Sequence, residues 1–128
     1  MERVKSKSET KKGKLMENYI WKKGRPPVKC SDLMEWSKKS NNTGRQVGYS
    51  VVQDVVVSTV FLCLDHSWKE EDGPILFETM VFGGDEDQMQ VRYRTENEAR
   101  NGHWDIFLKI RDKIRERKAN GNKKKESE

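Results

Sequence analysis

The stretch VVSTVFLCLDHSWKEEDGPILFETMVFGG, residues 56–84, decides the fold of this chain. It contains two strongly apolar runs rich in Val and Phe, which are typical of β-strands, and a charged segment between them that ends in Gly-Pro. The first run is apolar at consecutive positions, so it predicts a central strand that is covered on both faces. The two runs therefore predict the middle of an antiparallel sheet.

Further strands and two helices flank this stretch. Residues 45–52 and 89–94 predict two more strands, and the apolar residues 18–21 are consistent with a short edge strand. Ser31 or Asp32 can cap a short helix, and Thr95 with Glu98 forms a capping box for a long helix that ends near Arg117. The prediction is an α+β fold: an antiparallel sheet of three to five strands, with a short N-terminal helix and a long C-terminal helix packed on it.

The charge is divided between an acidic body and two basic ends. Residues 1–25 carry nine Lys/Arg against three Asp/Glu, and residues 109–128 carry nine against four. Residues 26–108 carry eight against fourteen, so the net charge of +5 comes from the ends. We predict one domain over residues 18–117, between disordered basic tails over 1–17 and 118–128. Contact of such tails with nucleic acid would be weak, non-specific and dependent on salt.

Several classes of protein lack support in the sequence. No apolar segment follows the charged N-terminus as in a signal peptide, and the longest apolar run, residues 55–64, is too short to span a bilayer. Cys30 and Cys63 form no CxxC pair, and no cofactor-binding motif is present. These features favour a cytoplasmic protein with no membrane partner, and an exposed sheet edge would suit a homodimer.

The chain resembles a family of small uncharacterised proteins found in bacteriophages and prophages. The resemblance covers residues 18–108. It rests on YI at 19–20, PV at 27–28, DLMEW at 32–36, VSTVFLCLDH at 57–66, GPILFETMVFGG at 73–84, RYRT at 92–95 and EARNGH at 98–103. It implies a phage-encoded protein that acts in the cytoplasm of the infected bacterium, and it implies no activity.

Two positions depart from the family pattern. Cys63 stands where the family usually has glycine, which indicates that the backbone there needs no positive φ. A longer charged loop, Trp68 to Asp72, follows His66.

Four polar residues in apolar elements are candidates for a site. Asp65 and His66 end the central run and point to opposite faces, Glu78 lies inside the next strand, and His103 lies on the apolar stripe of the long helix. If that helix packs across the sheet, His103 could meet Glu78 or His66. Two His and a carboxylate can hold a divalent ion, although no HxxxH or HxH spacing is present. The simpler interpretation is a structural network in which His103 donates to Glu78 and Asp65 caps the turn.

Three other features complete the set of ligand-binding candidates. Gly83 and Gly84 could let a phosphate approach the backbone, but outside a known phosphate-binding motif a tight turn is the commoner role. Trp68 lies in the charged loop, where it would be exposed for stacking. The acidic residues 70–72 and 85–87 would form a negative surface suited either to a host protein or to solvation.

The leading hypothesis is a non-enzymatic binding protein that sequesters a small ligand or docks on a host protein, for instance in counter-defence. The alternatives are a metal-dependent hydrolase or nucleotide-modifying enzyme using His66, Glu78 and His103, and a nucleic-acid-binding accessory protein that uses the basic tails.

Overall fold

A computed structural model describes residues 17–40, 43–67 and 73–127 of the chain. The elements follow one another in the order β1 (Tyr19–Ile20), β2 (Val28–Lys29), α1 (Leu33–Ser40), β3 (Gln46–Val52), β4 (Val55–Phe61), β5 (Phe77–Phe82), β6 (Gln90–Tyr93) and α2 (Glu96–Ser127). A single 3₁₀ turn, Thr43–Arg45, leads into β3.

The strands form two antiparallel sheets. One contains β1 and β2, and the other contains four strands in the order β3-β4-β5-β6, with α2 in contact with all four. Neighbours in the larger sheet are also neighbours in sequence, as expected for strands joined by short connections. The predicted fold class is confirmed.

The core lies between α2 and one face of the larger sheet, called here the inner face. In β4 and β5 every second residue points to this face, and Val57, Thr59, Phe77, Thr79 and Val81 are fully buried there. Each large apolar side chain so buried contributes about 1.5–3 kcal/mol. The central position predicted for β4 is confirmed.

The opposite, outer face of the larger sheet corrects one prediction. Tyr49, Val51 and Phe82 are 59%, 53% and 45% exposed on this face, and the outward residues of β4 are only half-buried. The described elements cover the inner face alone, so the expectation that β4 is covered on both sides is wrong. A continuous apolar run therefore did not require two covering layers here.

Helix α2 starts as predicted and is longer than predicted. The Glu98 amide donates to Thr95 Oγ1 at 3.1 Å, and the Glu98 carboxylate accepts from the Thr95 amide at 3.3 Å, so the capping box is confirmed. The predicted end near Arg117 is wrong, because the helix continues to Ser127 through the exposed Gly121. A glycine in an exposed helix costs only about 1 kcal/mol, which does not stop a helix that is anchored upstream.

The start of the chain confirms the predicted short strand and the capped short helix, and it adds one strand. The apolar residues near position 20 form β1, but they pair with β2, which the sequence did not predict. Helix α1 is capped by Asp32, whose Oδ1 accepts from the amides of Met34 and Glu35 at 3.0 and 3.2 Å. The predicted tail over residues 1–17 lies outside the described residues except for its last position.

The glycines of α2 allow a test of the packing between α2 and β6. A Cβ at Gly102 would lie 2.3 Å from the Tyr93 ring, whereas a Cβ at Gly121 meets nothing within 4 Å. We expect Gly102→Ala to destabilise the fold by about 1–3 kcal/mol, because the clash outweighs the gain in helix propensity. Gly121→Ala in the same helix should instead stabilise it by about 0.5–1 kcal/mol. Urea denaturation of the two variants measures both, and equal stabilities would contradict the close packing.

Candidate functional site

The predicted site residues do not all come together, because His103 and Glu78 lie on different faces of the larger sheet. Glu78 is on the outer face, where its carboxylate accepts hydrogen bonds from the Gln90 and Arg92 side chains. Arg92 lies directly opposite Glu78 on β6, so the two form a cross-strand ion pair. His103 is on the inner face and is almost fully buried. The expected contact between His103 and Glu78 is therefore wrong.

His103 links α2 to the sheet through a chain of buried hydroxyl groups. Its Nε2 lies 2.9 Å from Ser50 Oγ, and its Nδ1 lies 2.8 Å from Thr59 Oγ1. Thr59 Oγ1 is 2.5 Å from Thr79 Oγ1, which accepts a hydrogen bond from the Tyr93 hydroxyl at 3.0 Å. The chain runs from β6 through β5 and β4 to α2 and ends on β3. The structural-network interpretation of His103 is supported, with different partners from those predicted.

One consistent direction of these hydrogen bonds has a neutral imidazole. Because Tyr93 donates to Thr79, each hydroxyl both accepts and donates only if Thr79 donates to Thr59 and Thr59 donates to His103. Nδ1 is then the acceptor and Nε2 carries the proton that is donated to Ser50. Burial also lowers the pKa of His103, which acts in the same direction.

Asp65 and His66 organise the loop that follows β4. Asp65 is buried, and its Oδ1 accepts from the amides of Ser67 and Ile75 at 2.8 and 2.9 Å. The prediction that Asp65 caps this turn is confirmed. His66 is half-buried, and its pKa is lowered first by burial and then by the nearby charge of Arg92, against the opposing charges of Glu78 and Asp65.

Gly83 and Gly84 form a tight turn whose amide is already occupied. Both have positive φ, and a Cβ at Gly83 would lie 2.5 Å from the Asp54 carbonyl oxygen. The Gly83 amide donates to Asp87 Oδ1 at 2.6 Å. A phosphate at this turn would have to displace that carboxylate, so the structural role explains both glycines.

The acidic surface is neutralised where it can be described. Asp85 forms an ion pair with Arg117 of α2, and Glu86 pairs with Lys113 of α2 at 2.7 Å. Trp68 and the acidic residues 70–72 lie outside the described residues. Two of its three described residues, Asp85 and Glu86, are thus matched by basic side chains of the long helix, and Asp87 accepts from the Gly83 amide.

Two properties of the described ranges bear on the metal-site hypothesis and on a membrane partner. Across residues 17–40, 43–67 and 73–127, no three His, Cys, Asp or Glu side chains are grouped closely enough to hold a metal ion. His66 and Glu78 are neighbours, but His103 lies on the inner face with Ser50 and Thr59. Within the same ranges, no helix has the length and the apolar content needed to cross a bilayer.

The structure instead forms a cleft that the sequence did not predict. It lies between the β1–β2 hairpin, the end of α1 and the start of β3, and its volume is about 670 Å³. Five cationic side chains line it, and no carboxylate does so among the described residues. We call it the basic cleft; its cations are Lys22, Lys23, Arg25, Lys39 and Arg45.

The hairpin that carries three of these cations is anchored to the start of α2. Glu96 accepts from the Trp21 indole at 3.3 Å and from the Gly24 amide at 3.0 Å, while Arg100 donates to its other oxygen. Burial opposes ionisation of Glu96, but these hydrogen bonds outweigh it and lower the pKa of the carboxyl. Glu96 thus remains charged, holds the hairpin turn and forms an ion pair with Arg100.

The floor of the basic cleft is apolar and depends on an unusual backbone conformation at Cys63. The Cys63 φ angle is +71°, so the expectation that this position needs no positive φ is wrong. The turn ends β4 at Phe61, earlier than the predicted His66, and presents the Cys63 carbonyl to the Tyr19 amide at 2.8 Å and to the Trp36 indole at 3.2 Å. One carbonyl therefore connects the hairpin and α1 to the end of the sheet.

The chemistry of the cleft suits holding an anion. Arg45 donates from Nε to the Phe61 carbonyl at 3.1 Å and lies beside the Cys63 thiol. Burial raises the pKa of that thiol in spite of the Arg45 charge, so the group stays protonated and is a poor nucleophile. No imidazole or carboxylate lines the cleft within the described ranges. The cleft thus combines positive charge with apolar surface rather than with proton-transfer groups.

In comparisons with known proteins, no family model, no curated protein and no solved structure matches this chain.

The positive φ at Cys63 gives a stability test that needs no ligand. Cys63→Gly and Cys63→Ala both remove the thiol, but only glycine relieves the backbone strain. We expect the Gly variant to be more stable than the Ala variant by about 1 kcal/mol in urea denaturation. Cys30 is also buried and has no positive φ, so Cys30→Gly should be less stable than Cys30→Ala. The same order at both positions would contradict the strain argument.

The neutral state of His103 predicts a dependence of stability on pH. Because the pKa of His103 is lower in the folded protein, the unfolded chain takes up the proton first as the pH falls. The free energy of unfolding should be highest above about pH 6.5 and decrease below it. His66 shifts in the same direction, so wild type is compared with His66→Gln and His103→Gln by urea denaturation over this range. Each variant should show a weaker pH dependence than wild type, and an unchanged profile for His103→Gln would contradict the neutral chain.

Proposed function

We propose that this chain is a small, non-enzymatic binding protein that sequesters a small anionic ligand in the basic cleft. The observation that carries the proposal is the grouping of five cations from three separate elements around one cleft that no described carboxylate lines. Like charges repel one another, so an anion bound among them stabilises the arrangement as well as being held by it.

The cations are placed on two walls of the cleft. Lys22, Lys23 and Arg25 belong to the hairpin. Lys39 belongs to the end of α1, where Glu35 pairs with it at 3.0 Å, and Arg45 is the last residue of the 3₁₀ turn before β3. A charge-assisted hydrogen bond contributes about 1.5–3 kcal/mol, less where the side chain is exposed as the lysines are. An anion that touches both walls would combine several such contacts.

The biological setting of this proposal comes from the resemblance to phage proteins. If the protein is phage-encoded, it acts in the cytoplasm of an infected bacterium. There it sequesters an anionic compound that the host would otherwise use, which is one form of counter-defence. Sequestration needs affinity and a sufficient copy number, and it needs no catalytic group.

The other hypotheses have less support from the described residues. A metal-dependent reaction would need His66, Glu78 and His103 together, and they lie on two faces of the sheet. Docking through an acidic surface is weakened by the ion pairs that Asp85 and Glu86 form with α2. Those pairs also occupy Arg117 and Lys113, which are basic side chains of the C-terminal end that nucleic acid would otherwise contact.

The test is calorimetric titration of the full chain with pyrophosphate at low salt. We expect binding that weakens as salt is added, since rim charges are screened. The double variant Arg25→Gln/Lys39→Gln, which removes one cation from each wall, should weaken binding by about tenfold.

Lys38→Gln is the matched control for this variant. Lys38 is an exposed neighbour of Lys39 in α1 and does not line the cleft. Its replacement should leave the affinity within about twofold of wild type. Absence of binding at millimolar pyrophosphate, or an equal loss in the control and the double variant, would rule the proposal out.

A further inference from the structure

We propose that the ligand of the basic cleft is a free nucleotide, that is, a phosphorylated compound with a planar ring, and this rests on the proposed function. The inference comes from the apolar lining of the cleft, which the binding of an anion by the cations does not explain. Seven of the lining residues are apolar: Tyr19, Ile20, Trp21, Pro26, Val28, Phe61 and Cys63.

The cleft has exposed cations and apolar side chains at several depths. Lys22, Lys23 and Arg25 are exposed, and so is the apolar Val28, whereas Trp21 is half-buried and Phe61 is buried beneath it, with a distance of 5.6 Å between the two ring centroids. An inorganic anion would contact the cations and leave the accessible surface of Val28 and Trp21 in water. A ligand that fills the cleft therefore needs an apolar part, and a flat aromatic ring gains most from a floor built of rings.

The rim itself distinguishes one wall from the other. Ser40, the last residue of α1, lines the cleft, so the carbonyl end of the helix faces the ligand. The negative end of the helix dipole disfavours a phosphate at that wall, although Lys39 offsets part of the effect. The hairpin wall, with three cations and no helix end, is the better place for the phosphates. The ring then lies across the floor toward Arg45.

Arg45 supplies the polar contact at the boundary between rim and floor. Its Nε is used by the Phe61 carbonyl, which fixes the plane of the guanidinium group beside the floor. Arginine has five N–H donors, so others remain for oxygen or nitrogen atoms of a base, and the planar group can also stack on a ring. This is the combination of one fixed polar group and apolar surface that sets ligand orientation in small-molecule sites.

The size of the cleft favours a single nucleotide over a nucleic-acid strand. Its volume of about 670 Å³ lies in the middle of the range found for small-molecule sites, about 300–1,000 Å³. A strand would need cations continuing beyond the cleft along a groove. The cations described here instead converge on one cavity.

The experiment compares the affinities of the full chain for ADP, pyrophosphate, adenosine and a single-stranded DNA of ten nucleotides by calorimetric titration. We expect ADP to bind about tenfold more tightly than pyrophosphate, because only ADP covers the floor. Adenosine should bind more weakly than ADP by at least a similar factor. The DNA should bind no more tightly than pyrophosphate, since it cannot place a base and phosphates in the cleft as a free nucleotide does.

Two variants separate the contributions of the apolar lining and of the cations. Val28→Ser changes an apolar lining residue that is 58% exposed, so the fold should tolerate it. It should weaken ADP by about threefold and leave pyrophosphate unchanged. Lys22→Gln should weaken both ligands by a similar factor, and Lys109→Gln, on the exposed side of α2 and outside the cleft, should affect neither.

The outcomes distinguish this inference from the proposal beneath it. If pyrophosphate and ADP bind equally well, the nucleotide inference is overturned and the anion-binding function stands. If neither binds, both are overturned. If adenosine binds as tightly as ADP, or if only the DNA binds, the assignment to a free nucleotide is overturned as well.

Discussion

The backbone conformation at Cys63 is the constraint on which the arrangement of this protein depends. A positive φ is unfavourable for any residue with a Cβ, and here it turns the chain out of β4 two residues after Phe61. The turn presents one carbonyl to both Tyr19 and Trp36, which brings the hairpin and α1 to the end of the sheet. Without this turn, β4 would continue in the extended conformation and the basic cleft would lack its floor. Strain at such a residue persists because the surrounding contacts determine it.

A second interaction fixes the other half of the molecule and explains the most conspicuous polar residue of the helix. His103 ends a chain of hydroxyl groups that crosses the sheet and ties it to α2. Gly48 leaves room for the imidazole, since a Cβ there would lie 3.0 Å from the ring. A fully satisfied polar chain in a small core specifies one packing of helix on sheet, whereas an apolar interface alone would tolerate sliding. The histidine is therefore explained by its structural role.

The sequence predicts the local features well and the juxtapositions poorly. The capping box at Thr95, the role of Asp65 and the central position of β4 follow from neighbours in sequence or from strand periodicity. The partners of His103 were predictable only in part. Thr59 and Thr79 share a face with the buried residues of their strands, but the position of α2 above them is a tertiary property. The expected contact of Glu78 with His103 was wrong because Glu78 stands out as a charged residue in an apolar strand. Its actual partner, Arg92, belongs to the next strand.

The basic cleft was not predicted because its cations are separated in the sequence and only the fold brings them together. Counting by segment places its cations in two groups, with Lys22, Lys23 and Arg25 in the basic N-terminal end and Lys39 and Arg45 in the acidic body. Neither group is exceptional in sequence, and only the pairing of β1 with β2 and the turn at Cys63 bring them together. At the other end of the chain, α2 directs basic side chains to the acidic turn after β5. The net charge of +5 is therefore a sum over acidic and basic segments, and it does not give the charge of any one surface. The fold instead gathers five cations around one cleft, where Lys39 is paired with Glu35 at 3.0 Å, so an anion bound there, as we propose, would be held mainly by the other four.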